Sequence, residues 1–482
     1  MSELSRKRRL AILSICCTSL LIVGLDVTAV NVALPSIGRN LHAGISGLQW
    51  TVDAYTLVLA SLLMLSGSSG DRFGRRRVFM TGLLLFLGGS VLCSVATSVA
   101  MLVSFRVIQA VGGSMLNPVA MSIIANTFTD PRERAQAVGV WGGVAGISIA
   151  LGPVIGGALA SAVSWRAIFL LNVPIGLIGL ALTWRFVPES RAPVARRFDP
   201  AGQALVITFV AALTFAIIEA PSHGWDSPTI VIALALAGLG IAGLLAVEPR
   251  REQPLLDLRF FRSVPFSAAV LTAICAFIAF GGFLFLNTLY LQRVRGLSPV
   301  DAGLYTLPLA LAAMLVSPYV GRFVGRHGPR WPLLVSGSAY AVACGSLANL
   351  SAHTAPLLLL GSYVVFGIGF GAVNAPVTNA AVSGMPRAQA GVAAATASTA
   401  RQFGQTLGVA IAGAIISSTA GLRARGLAEA SHPAWWAMLG CGLAIVMLGL
   451  VATGERAKLT AQRAALALNP EALSTHPEAL AA

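Results

Sequence analysis

The feature that most constrains this chain is a repeated one: runs of about 20 mostly apolar residues, separated by short segments that hold nearly all of the charge. In hydrocarbon each run must satisfy its own backbone hydrogen bonds, so an open run of that length has to be helical. Breakpoints at Pro, Gly and charge clusters predict an all-α integral membrane protein with fourteen spans. These fall at about 10–34, 48–68, 77–98, 99–122, 135–162, 166–187, 200–220, 228–247, 265–291, 301–321, 331–351, 355–380, 389–418 and 433–453. Composition agrees, because a soluble chain carries roughly a quarter charged residues, whereas here 11% are charged and 56% hydrophobic, with a mean hydropathy of +0.80. Arg6, Lys7, Arg8 and Arg9 precede a run that reaches Pro35 without a small-residue cleavage site, so it reads as a retained first span rather than a signal peptide. All six cysteines lie in apolar runs, where they act as small hydrophobes, and no structural disulfide is expected.

The net charge of +15 would suggest a nucleic-acid partner in a soluble protein. Here membrane orientation explains it. With the N-terminus placed in the cytoplasm, 25 of the 33 Lys and Arg fall in cytoplasmic segments and 6 in outer loops, while Arg106 and Arg401 lie within spans. That bias is what the positive-inside rule requires, so both termini are expected in the cytoplasm and the number of spans is expected to be even.

The two halves echo each other at an offset near 254 residues. Gly67, Arg72 and Gly74 match Gly321, Arg326 and Gly328, and Arg134-Ala135-Gln136-Ala137 returns as Arg387-Ala388-Gln389-Ala390. The offset equals eight spans, so spans 1–6 correspond to 9–14 and spans 7 and 8 are an insert. The predicted domains are a six-helix bundle at 1–190, two inserted helices with basic linkers at 191–262, a second six-helix bundle at 263–455 and a cytoplasmic tail at 456–482. Parallel six-helix halves with a site at their interface are the major facilitator architecture.

Longer motifs carry the resemblance. The segment Gly67-Ser68-Ser69-Gly70-Asp71-Arg72-Phe73-Gly74-Arg75-Arg76-Arg77 resembles the loop signature of the major facilitator superfamily, with Ser69 where Leu is usual. Its glycines allow a tight turn, Asp71 can receive an Arg or a helix N-terminus, and the bland reading is an ordinary positive-inside loop. Arg106-Val107-Ile108-Gln109-Ala110-Val111-Gly112-Gly113 is similar to the motif whose Arg is associated with proton coupling. Gly152, Pro153, Gly156 and Gly157 resemble the motif of proton antiporters, with Ser148 at its first Gly position; generic packing by small residues is the plainer reading. Leu25-Asp26-Val27-Thr28-Ala29-Val30-Asn31-Val32-Ala33-Leu34-Pro35, Trp50-Thr51-Val52-Asp53-Ala54-Tyr55, Trp165-Arg166-Ala167-Ile168-Phe169-Leu170-Leu171-Asn172-Val173-Pro174 and Arg401-Gln402-Phe403-Gly404 look like the fourteen-spanner drug:proton antiporter family. The resemblance implies a multidrug or antibiotic exporter in the bacterial inner membrane, acting as a monomer without a cofactor or metal. Its partners would be protons, the lipid bilayer and a hydrophobic or cationic small molecule, with no nucleic acid.

Asp26 and Asp53 are the two acids set well inside spans; Glu219 closes span 7. A carboxyl in a low-dielectric site can exchange a proton near neutral pH, and a nearby cation competes with that proton, which is the minimum device for antiport. Asp26 and Arg106 are therefore the candidates for proton coupling, since an Arg at mid-span costs at least about 2.5 kcal/mol and needs a partner or a cavity. Asp26, Asp53, Trp50, Tyr55 and Asn31 are the candidates for binding substrate, the aromatics through cation–π contact. Each has a plainer alternative. Asp26 could be a permanent structural partner of Arg106 or Arg401, Asp53 could face water, Trp50 could belong to an interfacial belt, and Asn31 could bond across helices. A symporter and a dedicated exporter of one endogenous metabolite stay open. An enzyme is not expected, because no metal spacing, nucleophile elbow or phosphate loop appears, and the missing phosphate loop also excludes an ATP-driven pump in this chain alone.

Overall fold

A computed structural model describes residues 5–192, 198–251, 254–383, 385, 389–420 and 426–468. The described residues are helical apart from short connections. In chain order the helices are α1 (Arg6–Leu41), α2 (Ile45–Phe73), α3 (Arg75–Ser94), α4 (Val99–Thr127), α5 (Pro131–Ala162), α6 (Arg166–Phe186), α7 (Pro200–His223) and α8 (Pro228–Val247). They continue with α9 (Val264–Leu289), α10 (Pro299–His327), α11 (Arg330–Leu347), α12 (Pro356–Val382), α13 (Ala390–Ala420), α14 (Leu427–Ala452) and α15 (Glu455–Leu468). A π-helical turn, Tyr290–Val294, extends α9. Ser or Asp caps open several helices where the sequence leaves a span boundary, as at Ser98 before α4, Asp130 before α5 and Ser227 before α8.

Twelve of these helices are long and apolar enough to cross a membrane by length and composition. α11 and α13 are not among them. α11 has 18 residues and opens on Arg330-Trp331-Pro332, and α13 carries Arg401, Gln402 and Gln405 near its middle. Several helices also outrun the expected boundaries. α1 continues through Pro35 to Leu41, and α14 begins before Pro433, because a Pro can be accommodated where neighbouring helices and side chains compensate the freed carbonyl. The segment expected as a tail carries α15, whose Ala457, Ala461, Ala464 and Leu468 form a buried stripe at helical spacing.

The chain forms two compact units, Met1–Phe198 with Leu284–Ala310, and Asp199–Phe283 with Leu311–Ala482. In the first, α1 lies along α5 with almost no side chain between them. Gly152 faces Thr28, and a Cβ at Gly156 would lie 2.7 Å from Ala29 Cα, so the antiporter-like stretch is a close helix–helix seam that also takes in Gly24 opposite Ser148. Gly157 meets Pro299 and Val300 at the start of α10. In the second unit an aromatic cluster joins α9, α11, α12 and α14. Phe283 stacks on Phe366 at 4.4 Å and meets Trp435 edge-on at 6.0 Å, while Tyr340 packs on Phe366 at 4.7 Å.

The internal repeat is visible at the α2–α3 and α10–α11 junctions, where Gly74 and Gly328 take φ of +112° and +81°. Gly67 and Gly70, expected in a turn, lie within α2 instead; Gly74 alone makes the break, since its φ is one that a side chain resists. Arg387 and Ala388, which begin the second copy of the other repeated segment, lie outside the described residues.

The seam makes a direct prediction. Gly156→Ala should lower the thermal unfolding temperature of the purified protein, by an overpacking cost of about 1–3 kcal/mol, whereas Gly143→Ala on the same helix, with nothing within 4 Å of its Cβ, should leave it unchanged.

Candidate functional site

The site is built in the first unit, from five helices converging on one charge. Arg106 is 1% exposed, about two turns into α4, and its Nε and Nη1 both donate to protein groups. Nη1 donates to Asp26 Oδ2 of α1 and, at 2.8 Å, to Gln109 Oε1; Nε donates to the Thr51 carbonyl of α2 at 3.2 Å. The face of Tyr55 lies 4.2 Å from the guanidinium carbon and that of Phe169 5.7 Å. Asp26, also 1% exposed, receives at Oδ1 the amides of Gln109 at 2.9 Å and Asn172 at 3.2 Å. Ser90 on α3 accepts from both amides, at 2.8 and 3.4 Å, and closes the network.

Helical spacing accounts for the convergence. Arg106 and Gln109 are three residues apart on α4, Thr51 and Tyr55 four apart on α2, and Phe169 and Asn172 three apart on α6, so each pair shares a face. Gly89 lets α3 and α4 touch: a Cβ there would lie 2.5 Å from Gln109 Cα, and this approach brings Ser90 to the Gln109 amide. Gln109, Asn172 and Ser90 were not singled out from sequence, although Gln109 and Asn172 stand in quoted motifs at a same-face distance from Arg106 and Phe169.

The other candidates separate. Tyr55 is fully buried, with the Arg106 guanidinium, an internal cation, against its ring. Asn31, 2% exposed, turns its amide back to the Val27 carbonyl at 2.7 Å. Trp50 is half-buried. Asp53 is fully buried rather than facing water, and among the described residues no Lys, Arg or His pairs with its carboxyl. Arg401, in the second unit, bonds Thr378 at 2.6 Å and Ser398 at 3.3 Å, so among the described residues it is Arg106 that pairs with Asp26.

At the α2–α3 junction, Asp71 in the last turn of α2 accepts from Arg75, the first residue of α3, at 2.8 Å. The exposed N-terminus of α3 is taken by Glu189, whose Oε1 accepts from Arg76 N–H at 3.1 Å. Two backbone bonds, Arg75 N–H to Ser190 O at 2.9 Å and Ala192 N–H to Asp71 O at 3.1 Å, tie the junction to the segment after α6. Arg72 is exposed beside Phe73.

A bundle of candidate membrane spans that buries an Asp–Arg ion pair among its helices is the kind of site a transporter offers. The chain belongs to the Major Facilitator Superfamily, which matches residues 16–409. It is 37% identical over 399 residues to the multidrug resistance protein Stp of Mycobacterium tuberculosis, spanning 83% of this chain and 74% of that protein. It is 37% identical over 402 residues to the tetracenomycin C resistance and export protein of Streptomyces glaucescens, with 83% and 74% coverage. The methylenomycin A resistance protein of Streptomyces coelicolor matches at 32% over 435 residues, 90% of each chain. Among solved structures, a bacterial homologue of the human lysosomal transporter Spinster, in an inward-facing and unoccupied conformation, matches with a TM-score of 0.62 at 18% identity, covering 96% of this chain and 99% of that one. A peptide transporter matches with a TM-score of 0.66 at 17% identity, covering 93% and 95%. These two share the fold. The resistance proteins accord with the drug:proton antiporter resemblance, and the protein is a transporter rather than an enzyme.

The amide network is testable by itself. Asn172→Ala should cost about 1–3 kcal/mol by leaving Asp26 Oδ1 under-bonded, and Asn172→Asp more, because it sets a second carboxylate beside Asp26. Thermal unfolding in detergent measures both.

Proposed function

We propose that this protein is a proton-coupled antiporter of the bacterial inner membrane, exporting hydrophobic, cationic drugs or antibiotics. In this reading it has fourteen spans and cytoplasmic termini, with six-helix bundles at 1–190 and 263–455 flanking an inserted pair at 191–262, and it works as a monomer. The observation that carries the reading is the Asp26–Arg106 pair, buried in a span and held by Gln109, Asn172, Thr51 and Tyr55. A proton on Asp26 removes the negative charge from Arg106, and leaving one partner of a buried pair uncompensated costs about 3–5 kcal/mol. The protonated state therefore favours a different arrangement of α1 and α4, and deprotonation restores the first. That is how a hydrogen ion becomes a conformational force. A potential of 100 mV adds about 2.3 kcal/mol per charge moved.

Asp53 supplies the second carboxyl. A buried carboxylate without a cationic partner is costly unless it takes up a proton or a cation, which makes Asp53, with Trp50 and Asn31 on neighbouring turns and helices, the anchor for a cationic substrate. Gly67, Asp71, Arg72, Gly74 and Arg75 form the conformational junction, and Gly152, Pro153, Gly156 and Gly157 the seam that α1 moves against. Tetracenomycin C and methylenomycin A in the names of two relatives favour a second reading, a dedicated exporter of one antibiotic.

Asp26→Asn should abolish proton-driven efflux in everted vesicles with the protein still inserted, and retained efflux would remove Asp26 from the mechanism. Arg106→Ala should erase the pH response. Asp53→Asn should raise susceptibility to cationic compounds far more than to neutral ones across a panel in an efflux-deficient host; equal losses would count against charge pairing, and protection against a single compound would select the dedicated exporter.

A further inference from the structure

The α7–α8 hairpin carries two buried acids that the transport reading does not use. Asp199 caps α7, its Oδ1 accepting from Gly202 N–H at 3.0 Å. Glu248 stands just past the last turn of α8, its Oε2 accepting from Leu256 N–H at 3.3 Å. Each carboxyl thus has one oxygen held by the backbone. The remaining oxygens, Asp199 Oδ2 and Glu248 Oε1, are buried without a hydrogen-bond partner, on residues 8% and 1% exposed. They converge. A Cβ at Gly202 would lie 2.7 Å from Asp199 Oδ2 and closer still to Glu248 Oε1, so a side chain there would push one of the two carboxyls aside.

Among the described residues, the charged neighbours are either engaged elsewhere or exposed. Arg250 turns back to the Ala246 carbonyl, Arg259 pairs with Asp257 at 2.8 Å, and Arg251 and Arg262 are exposed, with Arg251 attracting Glu248 only through space. On α13, which packs on α7, Arg401 bonds Thr378 and Ser398. On α15, Lys458 pairs with Glu455, and Arg456 and Arg463 are exposed. Among the described residues no Lys, Arg or His forms an ion pair with Asp199 or Glu248.

Two buried carboxylates aimed at one point cannot both ionise cheaply, and a single proton between them satisfies both bare oxygens at once. A metal ion fits less well, because hard cations gather about six or more oxygen ligands. We propose that Asp199 and Glu248 bind one proton between them, forming a carboxyl–carboxylate clasp that ties the start of α7 to the end of α8. When the proton leaves to water, the two like charges repel and the clasp opens. In the orientation proposed above this end of the hairpin meets the cytoplasm, so the clasp would respond to internal acidity independently of Asp26 and Asp53.

Infrared spectroscopy of the purified full chain, titrated with pH, tests this through the C=O band of protonated carboxyls. Just below neutral pH, Asp199→Asn and Glu248→Gln should each lose the intensity of about one protonated carboxyl, and the double variant no more than either single one. Asn still caps a helix and Gln keeps the shape of Glu, so both variants should fold, which circular dichroism verifies. Loss in only one of the two variants would mean independent acids, and loss in neither would mean two carboxylates around a cation; either result overturns the shared proton.

Discussion

The first unit depends on one charge kept out of water. An uncompensated Arg at the depth of Arg106 would be expelled or would distort its helix. Every element around it is shaped by the need to satisfy it: Asp26 by charge, Gln109 and the Thr51 carbonyl by hydrogen bonds, Tyr55 by its ring face. Ser90 and Asn172 contribute indirectly, by holding the carboxylate and amide in position. Removing a purely apolar contact would leave a void, whereas removing any of these would leave a stranded polar group, so the network constrains five helices more sharply than their packing does.

The small residues of α5 and α3 serve that network. The α1–α5 seam puts the backbone of α1 in a fixed place, and Asp26 lies between the contacts at Gly24 and Thr28. Gly89 does the same for α3 and α4. In a membrane, where lipid competes with side chains for apolar contact, such backbone approach is among the main sources of helix association. The electrostatic site and the glycine seams are two aspects of one arrangement.

Much of this could be read from residue order. Apolar runs and their breakpoints gave the helices, because each must close its own hydrogen bonds, and the Asp26–Arg106 candidates emerged because charges in a span are too costly to be incidental. What could not be read was partnership. Gln109 and Asn172 look like ordinary amides until Gly89 and the seams bring their helices to the same point. From residue order Asp53 could face water, yet α2 begins at Ile45 and buries it. Pro35 and Pro433 read as span ends, yet α1 and α14 run through them because proline stops helices in water more reliably than in a bundle, and the buried stripe of α15 is mostly alanine, which gives little sign of itself in the sequence.

The pairing of residues 71 and 75 with 190 and 192 has a practical corollary. Where one would look for a slack connector after α6, the polypeptide is instead stitched, strand-like, to the α2–α3 corner, with Glu189 clamped on the first turn of α3. Backbone pairing thus carries the order of α6 on as far as Ala192, and foreign sequence spliced in ahead of that point would be felt at the α2–α3 corner.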